Sequence, residues 1–200
     1  MTSTINYIEV RNLDKKYRGK KVIDNYSHVF TKGKCIMIMG ENGSGKSTLL
    51  KIILGLVHKT SGVINNPFKS ISYVPEKINL PMNVKVIDFL NVLRDIKNSN
   101  KDKIDYLLDY FEITFAKEYK LRELSKGMMQ KVLIIQALMA DSCVYVFDEV
   151  LNGLDKKMQD KFLKYIEVLK GSGALILITS HYSSIYQDVI DEVVIMGKKT

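Results

Sequence analysis

The sequence predicts an α/β protein built on a largely parallel sheet. Short apolar runs rich in Val and Ile alternate with longer segments of helical period along the 200 residues. Three runs are continuously apolar, as expected for strands buried on both faces: CIMIM (Cys35–Met39), CVYVF (Cys143–Phe147) and ALILIT (Ala174–Thr179). Each run ends on polar residues, and ligands bind at the carboxyl ends of strands in open α/β sheets. We therefore expect the functional residues at these strand ends.

The remaining segments complete the predicted organisation. INYIEV and KVIDNYSHVF, in the first few dozen residues, are typical of antiparallel strands, which predicts an N-terminal antiparallel β subdomain. The segment from about 84 to 140 is mostly helical in pattern, with NSNKDK (Asn98–Lys103) as a polar break, and is interpreted as a helical subdomain inserted between two core strands. No internal repeat, low-complexity tract or Pro/Gly/Ser linker interrupts the chain, so residues 1–200 are expected to form one domain.

Composition narrows the class of protein without fixing its function. The net charge of +8 suits nucleic acid or an anionic membrane, but the basic residues are scattered, which favours ordinary lysine-rich solubility. Cys35 and Cys143 have the spacing of neither a zinc site nor a disulfide framework, and we expect buried reduced thiols. MTSTINYIEV lacks the features of a signal peptide, and no apolar run approaches the roughly 20 residues that span a bilayer. A cytoplasmic protein is expected, which can still lie peripherally on a membrane.

The stretch after the first strand predicts a nucleotide-binding loop. Residues 40–47 read GENGSGKS, which satisfies G-x-x-x-x-G-K-[ST] between a predicted strand and a helix from Ser47 to about Val57. Gly40, Gly43 and Gly45 let the backbone curl so that its N–H groups point at a phosphate near the positive end of that helix. Lys46 is expected to reach the β- and γ-phosphates, and the Ser47 hydroxyl to bind Mg²⁺. The alternative is a glycine-rich turn without a ligand.

Polar residues after the other two apolar runs supply candidates for catalysis. Asp148 is expected to hold Mg²⁺ through its water shell, and Glu149 to polarise the attacking water. Two adjacent carboxylates repel each other unless a cation compensates, although a solvated acidic turn is the simpler alternative. His181 follows the third run and is expected at the same edge of the sheet, where it can bind the γ-phosphate and respond to its loss; a purely structural histidine is the competing interpretation.

One further motif distinguishes this chain from other nucleotide hydrolases. LSKGMMQKV (Leu124–Val132) begins a predicted helix, and the order of phosphate loop, LSKGM, VFDE, LNGLD and TSH resembles the ATP-binding subunit of ABC transporters across nearly the whole chain. The resemblance implies the ABC ATPase fold, with a P-loop NTPase core. It also implies that Ser125 and Gly127 cap a nucleotide held by a second subunit, an identical copy or a paralogue, in a head-to-tail dimer with ATP at its interface. A plain helix N-cap is the alternative for Ser125.

The resemblance extends to other positions. Tyr17 resembles the aromatic residue that stacks on adenine, with an exposed turn tyrosine as the alternative. Asp155 resembles the aspartate that links the two active sites across the dimer, a role compatible with an ordinary N-cap. The residues predicted to bind ATP are Tyr17, Gly40, Glu41, Asn42, Gly43, Ser44, Gly45, Lys46, Ser47, Thr48, Ser125 and Gly127.

Three departures from the family pattern bear on the direction of transport. Glu76, in YVPEK, stands where the family usually has glutamine, and it is included with Ser47 and Asp148 among the expected metal-binding residues. Lys126 and Met128 replace the second glycine and the glutamine of the LSGGQ signature. Such variants are similar to those of the ABC-2-type branch, which predicts export. An ionised Glu76 near the metal either tightens metal binding or slows hydrolysis, and the sequence does not choose between these effects.

These observations predict an Mg²⁺-dependent ATPase subunit that drives export through a separate transmembrane permease. The permease is expected to contact the region between the Glu76 loop and the helical subdomain, near Met82–Lys97. Two alternatives remain open. A soluble ABC ATPase acting on ribosomes or nucleic acid suits the basic charge, although the chain has neither a second cassette nor a coiled-coil insertion, and nucleic acid is not the expected partner. A metabolic nucleotide kinase leaves LSKGMMQKV and LNGLD unexplained.

Overall fold

The computed structural model describes residues 6–97, 99–181 and 183–197. The first five residues of MTSTINYIEV, Asn98 of NSNKDK and the last three residues of the chain lie outside the described residues. Within the described ranges the strands are β1 (Tyr7–Tyr17), β2 (Lys20–Thr31), β3 (Cys35–Met39), β4 (Ser61–Asn65), β5 (Ile71–Val74), β6 (Val144–Asp148), β7 (Leu175–Thr179) and β8 (Glu192–Ile195). The helices are α1 (Lys46–Ile53), α2 (Val86–Lys97), α3 (Lys101–Tyr110), α4 (Lys126–Leu138) and α5 (Lys156–Gly171).

A five-stranded parallel sheet with the order β5-β6-β7-β3-β8 forms the centre of the fold. β3, β6 and β7 occupy its interior, and nearly all their side chains are buried, which explains why their sequences are continuously apolar. The predicted runs are confirmed, although β6 and β7 each begin one residue later than expected and β6 continues to Asp148. Because the strands are parallel, Met39, Asp148 and Thr179 all end at the same edge of the sheet.

The predicted N-terminal antiparallel subdomain is a three-stranded sheet with the order β2-β1-β4. β1 pairs with β2 over its whole length, from Tyr7 opposite Thr31 to Tyr17 opposite Lys20. β4, which follows α1 in the chain, pairs antiparallel with the other edge of β1 and was not predicted. The hairpin therefore places Tyr17 at its tip, and β2 passes beside the loop that follows β3.

Three of the helices lie between β5 and β6, as the expected insertion between two core strands requires. α2 and α3 flank the polar break, and Asn100 begins α3 by accepting a hydrogen bond from the Asp102 backbone N–H at 3.0 Å. α1 ends at Ile53, about four residues before the predicted end. Gly55 adopts φ +73°, and the N–H of Leu56 donates to the carbonyl of Lys51 at 2.8 Å, so a glycine cap terminates this helix early.

The sheet separates two apolar clusters, and alternate residues of β3 contribute to opposite sides. Met37 packs with the side that carries α2–α5, whereas Ile36 and Ile38 pack with α1 and the antiparallel sheet. Both cysteines are free thiols, as predicted, but only Cys35 is buried; Cys143 is half-buried and lies just before the first residue of β6. In the described part of the chain, no helix is both long and apolar enough to span a bilayer.

Candidate functional site

The loop after β3 curls tightly before α1 begins. Gly40 has φ +152°, and a Cβ there would lie 2.4 Å from the Met196 carbonyl oxygen, so both the conformation and the space require glycine. Gly45 occupies the N-cap position of α1 with φ +99° and has no side chain to satisfy the first N–H groups of the helix. These N–H groups and the positive end of the helix are suited to an anion.

Lys46 is buried and turned back over the loop. Its Nζ donates to the carbonyl oxygens of Gly40 at 2.7 Å and Glu41 at 3.1 Å. An ammonium group has three donors, so this arrangement orients the charge while the third donor is available to a ligand. Ser44, also buried, has an Oγ without a hydrogen-bond partner in the described structure.

Asp148 meets the start of α1 across the sheet edge. Its Oδ1 accepts a hydrogen bond from Ser47 Oγ at 3.1 Å and another from Thr179 Oγ1 at 2.5 Å, and the residue is buried. An Mg²⁺ ion with the Ser47 hydroxyl as a ligand would lie beside Asp148, which would hold it through a bound water. A hydroxyl and a carboxylate are also the hard oxygen donors that Mg²⁺ prefers, so these residues fit the expected ion.

Glu149 has an unusual backbone conformation. Its φ is +53°, in the left-handed region that a non-glycine residue seldom adopts. Its N–H donates to both the carbonyl oxygen of Thr179, at 3.2 Å, and the hydroxyl oxygen of Thr179, at 3.1 Å. Strained residues of this kind are common at functional sites, where the surrounding structure holds them.

The Glu149 carboxylate is 6% exposed, and its Oε1 lies 3.3 Å from His181 Nε2 without satisfying hydrogen-bond geometry. Burial raises the pKa of Glu149, while the positive potential of His181 and Lys46 opposes that rise. A carboxylate with a raised pKa is a stronger base than an ordinary one, which suits the activation of water. The structure thus brings His181 and Glu149 together, as the strand ends predicted.

A cleft of about 180 Å³ lies above these groups. Glu76 enters it from the loop after β5, and Val22 enters it from β2. The lining comprises Val22, Asn42, Gly43, Gly45, Lys46, Ser47, Thr48, Glu76, Glu149 and His181. Gly40, Glu41, Ser44 and Asp148 complete the loop and the sheet edge beneath it.

Four predicted residues neither line this cleft nor belong to the loop and sheet edge beneath it, as far as the structure describes them: Tyr17, Ser125, Gly127 and Asp155. Tyr17 is 44% exposed, and the Lys15 ammonium lies 4.5 Å from the centre of its ring, so the stacking role stays a prediction. Ser125 and Asp155 are N-caps: Ser125 Oγ accepts from Met128 N at 3.2 Å, and Asp155 Oδ1 accepts from Met158 N at 2.9 Å. The N-cap alternatives for both residues are therefore realised, and a second role remains compatible with them.

Two residues that hold the site together were not predicted. Thr179, at the end of β7, forms hydrogen bonds with both Asp148 and Glu149. Its position at a strand end is the sequence feature that could have predicted this contact. Gln130, in the middle of α4, is 4% exposed and donates from Nε2 to the Val150 carbonyl oxygen at 2.9 Å. Nothing in the local sequence around Gln130 indicates this long-range contact.

Comparison with known proteins identifies the arrangement. Residues 23–152 match the family model described as ABC transporter. An uncharacterized ABC transporter ATP-binding protein of Methanocaldococcus jannaschii is 32% identical over 195 residues, covering 96% of this chain and 74% of the relative. A zinc import ATP-binding protein of Wigglesworthia glossinidia brevipalpis is 32% identical over 197 residues, covering 96% and 84%. A solved structure described as the ATP binding subunit of an ABC transporter superposes with a TM-score of 0.88 at 26% identity, covering 95% and 85%.

The fold prediction is therefore confirmed, whereas the expected export branch is not supported. The similar proteins include one described as a zinc import protein, so overall similarity gives no preference for export. The physical reason is that the shared residues bind nucleotide, and the nucleotide site is the same whichever way a permease moves its substrate.

Proposed function

This chain belongs to the ABC transporter family, and on that premise we propose that it is an ATP-binding, ATP-hydrolysing subunit that acts as a dimer on a separate membrane permease. The proposal rests above all on the convergence of Lys46, Ser47, Asp148 and Glu149 at one edge of the parallel sheet. A phosphate loop beside a buried carboxylate pair is suited to phosphoryl transfer from a nucleoside triphosphate to water.

The residues act in sequence on the bound nucleotide. The loop N–H groups and Lys46 bind the phosphates, while Ser47 and Asp148 hold Mg²⁺, which when bound neutralises charge on the phosphate oxygens. Glu149 orients the attacking water and accepts its proton, helped by its raised pKa. His181 lies 3.3 Å from the Glu149 carboxylate, which it would help to orient, and it lines the cleft, where it would contact the γ-phosphate.

The proposed dimer gives a role to two residues that lie outside the cleft of their own chain. Ser125 and Gly127 begin α4 at a helix N-terminus, yet they are not among the residues that line the cleft in their own chain. A second copy or a paralogue placed head to tail would bring its own Ser125 to this cleft and receive the same contact in return. ATP then closes two subunits, and hydrolysis lets them separate, which supplies the free energy that moves a permease.

Trapping the dimer tests this proposal. Glu149→Gln keeps the shape of the site but removes the base, so the variant is expected to bind ATP and Mg²⁺ and to elute as a dimer on size exclusion with light scattering. ADP should leave the same variant monomeric, and Glu149→Gln/Ser125→Arg should remain monomeric in ATP because the arginine obstructs the partner's site. A Glu149→Gln variant that binds ATP and stays monomeric would refute the composite site.

The expected permease contact has support from exposed apolar residues. Met82 is 41% exposed, and the neighbouring segment carries Phe115, 65% exposed, and Tyr119, 45% exposed. Backbone hydrogen bonds from Arg122 N to Met82 O and from Val86 N to Tyr119 O join these two segments. An apolar surface of this kind suits a protein partner at the cytoplasmic face of a membrane.

Affinity capture from detergent-solubilised native membranes tests the partner. A stoichiometric multi-span protein lost on Phe115→Asp/Tyr119→Asp substitution is the expected result, whereas capture of ribosomal or DNA-associated proteins alone would favour the soluble alternative. Export remains the finer hypothesis, supported by Glu76, Lys126 and Met128. Its test is the direction of ATP-dependent substrate movement in vesicles that contain the captured permease.

A further inference from the structure

The backbone that carries Glu149 is held at three points. Its N–H is fixed by Thr179 at the sheet edge, and its carbonyl oxygen accepts the Asn152 N–H at 3.2 Å in the turn that follows. The third point is the next residue, Val150, which is completely buried. Since Glu149 has a left-handed φ, small changes in this turn redirect its side chain relative to the cleft.

Gln130 supplies the third attachment from outside the turn. Its side chain is buried, and its Nε2 donates to the Val150 carbonyl oxygen at 2.9 Å. A buried carbonyl that loses its donor is costly, so this bond is needed to keep the turn in place. The peptide carbonyl it holds lies one residue beyond Glu149 in the chain.

The same helix makes a second contact with this loop. Gly127, in the first turn of α4, approaches the loop so closely that a Cβ on it would lie 2.7 Å from the Gly153 carbonyl oxygen. The Lys126 side chain also extends over Gly153. α4 therefore contacts the loop from Glu149 to Asp155 at two places, Val150 and Gly153.

We infer that Gln130 is a positioning residue for the catalytic base: it ties the helix that begins at Ser125 to the turn that aims Glu149 into the cleft of the same subunit. The inference rests on the proposed function, because it assumes that Glu149 activates water and that the start of α4 meets a nucleotide. It adds a route by which a nucleotide bound against Ser125 adjusts Glu149 in the other site of the dimer. The route needs no contact between that nucleotide and Glu149.

Gln130→Met tests the inference because methionine has nearly the same shape but no donor. The turnover number for ATP hydrolysis is expected to fall roughly 10- to 100-fold, as for a misplaced catalytic group, with the KM for ATP unchanged. Gln136→Met is the matched control: Gln136 also lies on α4 and donates to a backbone carbonyl, that of Tyr73 at 3.0 Å, away from the Glu149 turn. The control should lose stability to a similar extent and retain its turnover number.

A double-mutant cycle separates positioning from general damage. In a Glu149→Gln background, Gln130→Met should cause no further loss of single-turnover hydrolysis, because its effect acts through Glu149. An equal fold-loss in both backgrounds, or an unchanged turnover number in the Glu149 background, would overturn the inference. If the methionine variant does not fold, Gln130→Asn, whose shorter amide does not reach Val150, is judged by the same criteria.

The outcomes also distinguish this inference from the proposed function. Absence of ATP hydrolysis by the unmodified chain, or of an ATP-dependent dimer of Glu149→Gln, would contradict the proposed function itself. Normal hydrolysis and dimer formation combined with a fully active Gln130→Met variant would contradict only the role of Gln130.

Discussion

Removing the Thr179 hydroxyl tests how the two carboxylates are held at the sheet edge. Thr179 is completely buried; its Oγ1 donates to Asp148 Oδ1 at 2.5 Å and accepts from Glu149 N at 3.1 Å. Thr179→Val preserves the shape and removes both bonds. The Glu149 N–H keeps its bond to the Thr179 carbonyl at 3.2 Å, so the main loss is one hydrogen bond to a buried carboxylate.

The expected loss of stability follows from that single hydrogen bond. A hydrogen bond to a charged group contributes about 1.5–3 kcal/mol, so the free energy of unfolding should fall by about 2 kcal/mol. For a domain of this size, this corresponds to a decrease in Tm of about 4–8 °C. Thr179→Ser keeps the hydroxyl and loses one methyl group, which costs about 1 kcal/mol and a correspondingly smaller decrease.

Thermal unfolding and the Mg²⁺ dependence of ATP hydrolysis provide the assay. The valine variant should need more Mg²⁺ for half-maximal activity because Asp148 is less firmly oriented, whereas the serine variant should match the unmodified chain. A valine variant with unchanged Tm and unchanged Mg²⁺ dependence would refute the proposed role of this hydroxyl.

Two further predictions concern Glu149 and Gly127. Burial raises the pKa of Glu149, so the folded chain retains a proton that the unfolded chain releases, and stability falls as pH rises from the ordinary pKa through the raised one. Glu149→Gln should therefore unfold at a higher temperature than the unmodified chain at pH 8, with the difference vanishing near pH 4; a less stable glutamine variant at pH 8 would contradict this. Gly127→Ala forces a Cβ against the Gly153 carbonyl oxygen. The substitution should lower the free energy of unfolding by about 1–3 kcal/mol and reduce ATPase activity. Gly171→Ala is the control, because an added Cβ there has nothing within 4 Å beyond its chain neighbours and its own helix backbone; it should be neutral or slightly stabilising. Equal melting temperatures for the two alanine variants would show that the Gly127 contact is not tight.

The sequence was most informative where all residues of a site lie in one short segment. GENGSGKS contains its own glycines, lysine and serine, so the loop and its ligand class follow from one short segment. The strand ends were also predictable, because parallel strands with buried faces have continuous apolar sequences that stop at polar residues. That reasoning predicts Asp148, Glu149 and His181 at one edge of the sheet, where the structure has them.

Contacts between distant segments were not predictable. Gln130 is a polar residue in an otherwise apolar helix, and only the packing of α4 against the turn at Val150 gives its amide a partner. The left-handed φ of Glu149 likewise depends on Thr179, which lies 30 residues away in the chain. The sequence pattern also predicted a longer α1 than the structure has. The segment after Ile53 has a helical pattern, but Gly55 ends the helix.

The capping contacts of Ser125 and Asp155 are compatible with the roles proposed for these residues in the dimer. Ser125 Oγ uses a lone pair to accept from Met128 N, which leaves its O–H proton as a donor at the start of a helix, the arrangement that an anionic phosphate from another subunit requires. Asp155 uses Oδ1 to accept from Met158 N, which leaves a second carboxylate oxygen for a donor across the interface. Capping fixes each side chain in one orientation, so in the proposed dimer the remaining groups would already be oriented and would lose less entropy on binding.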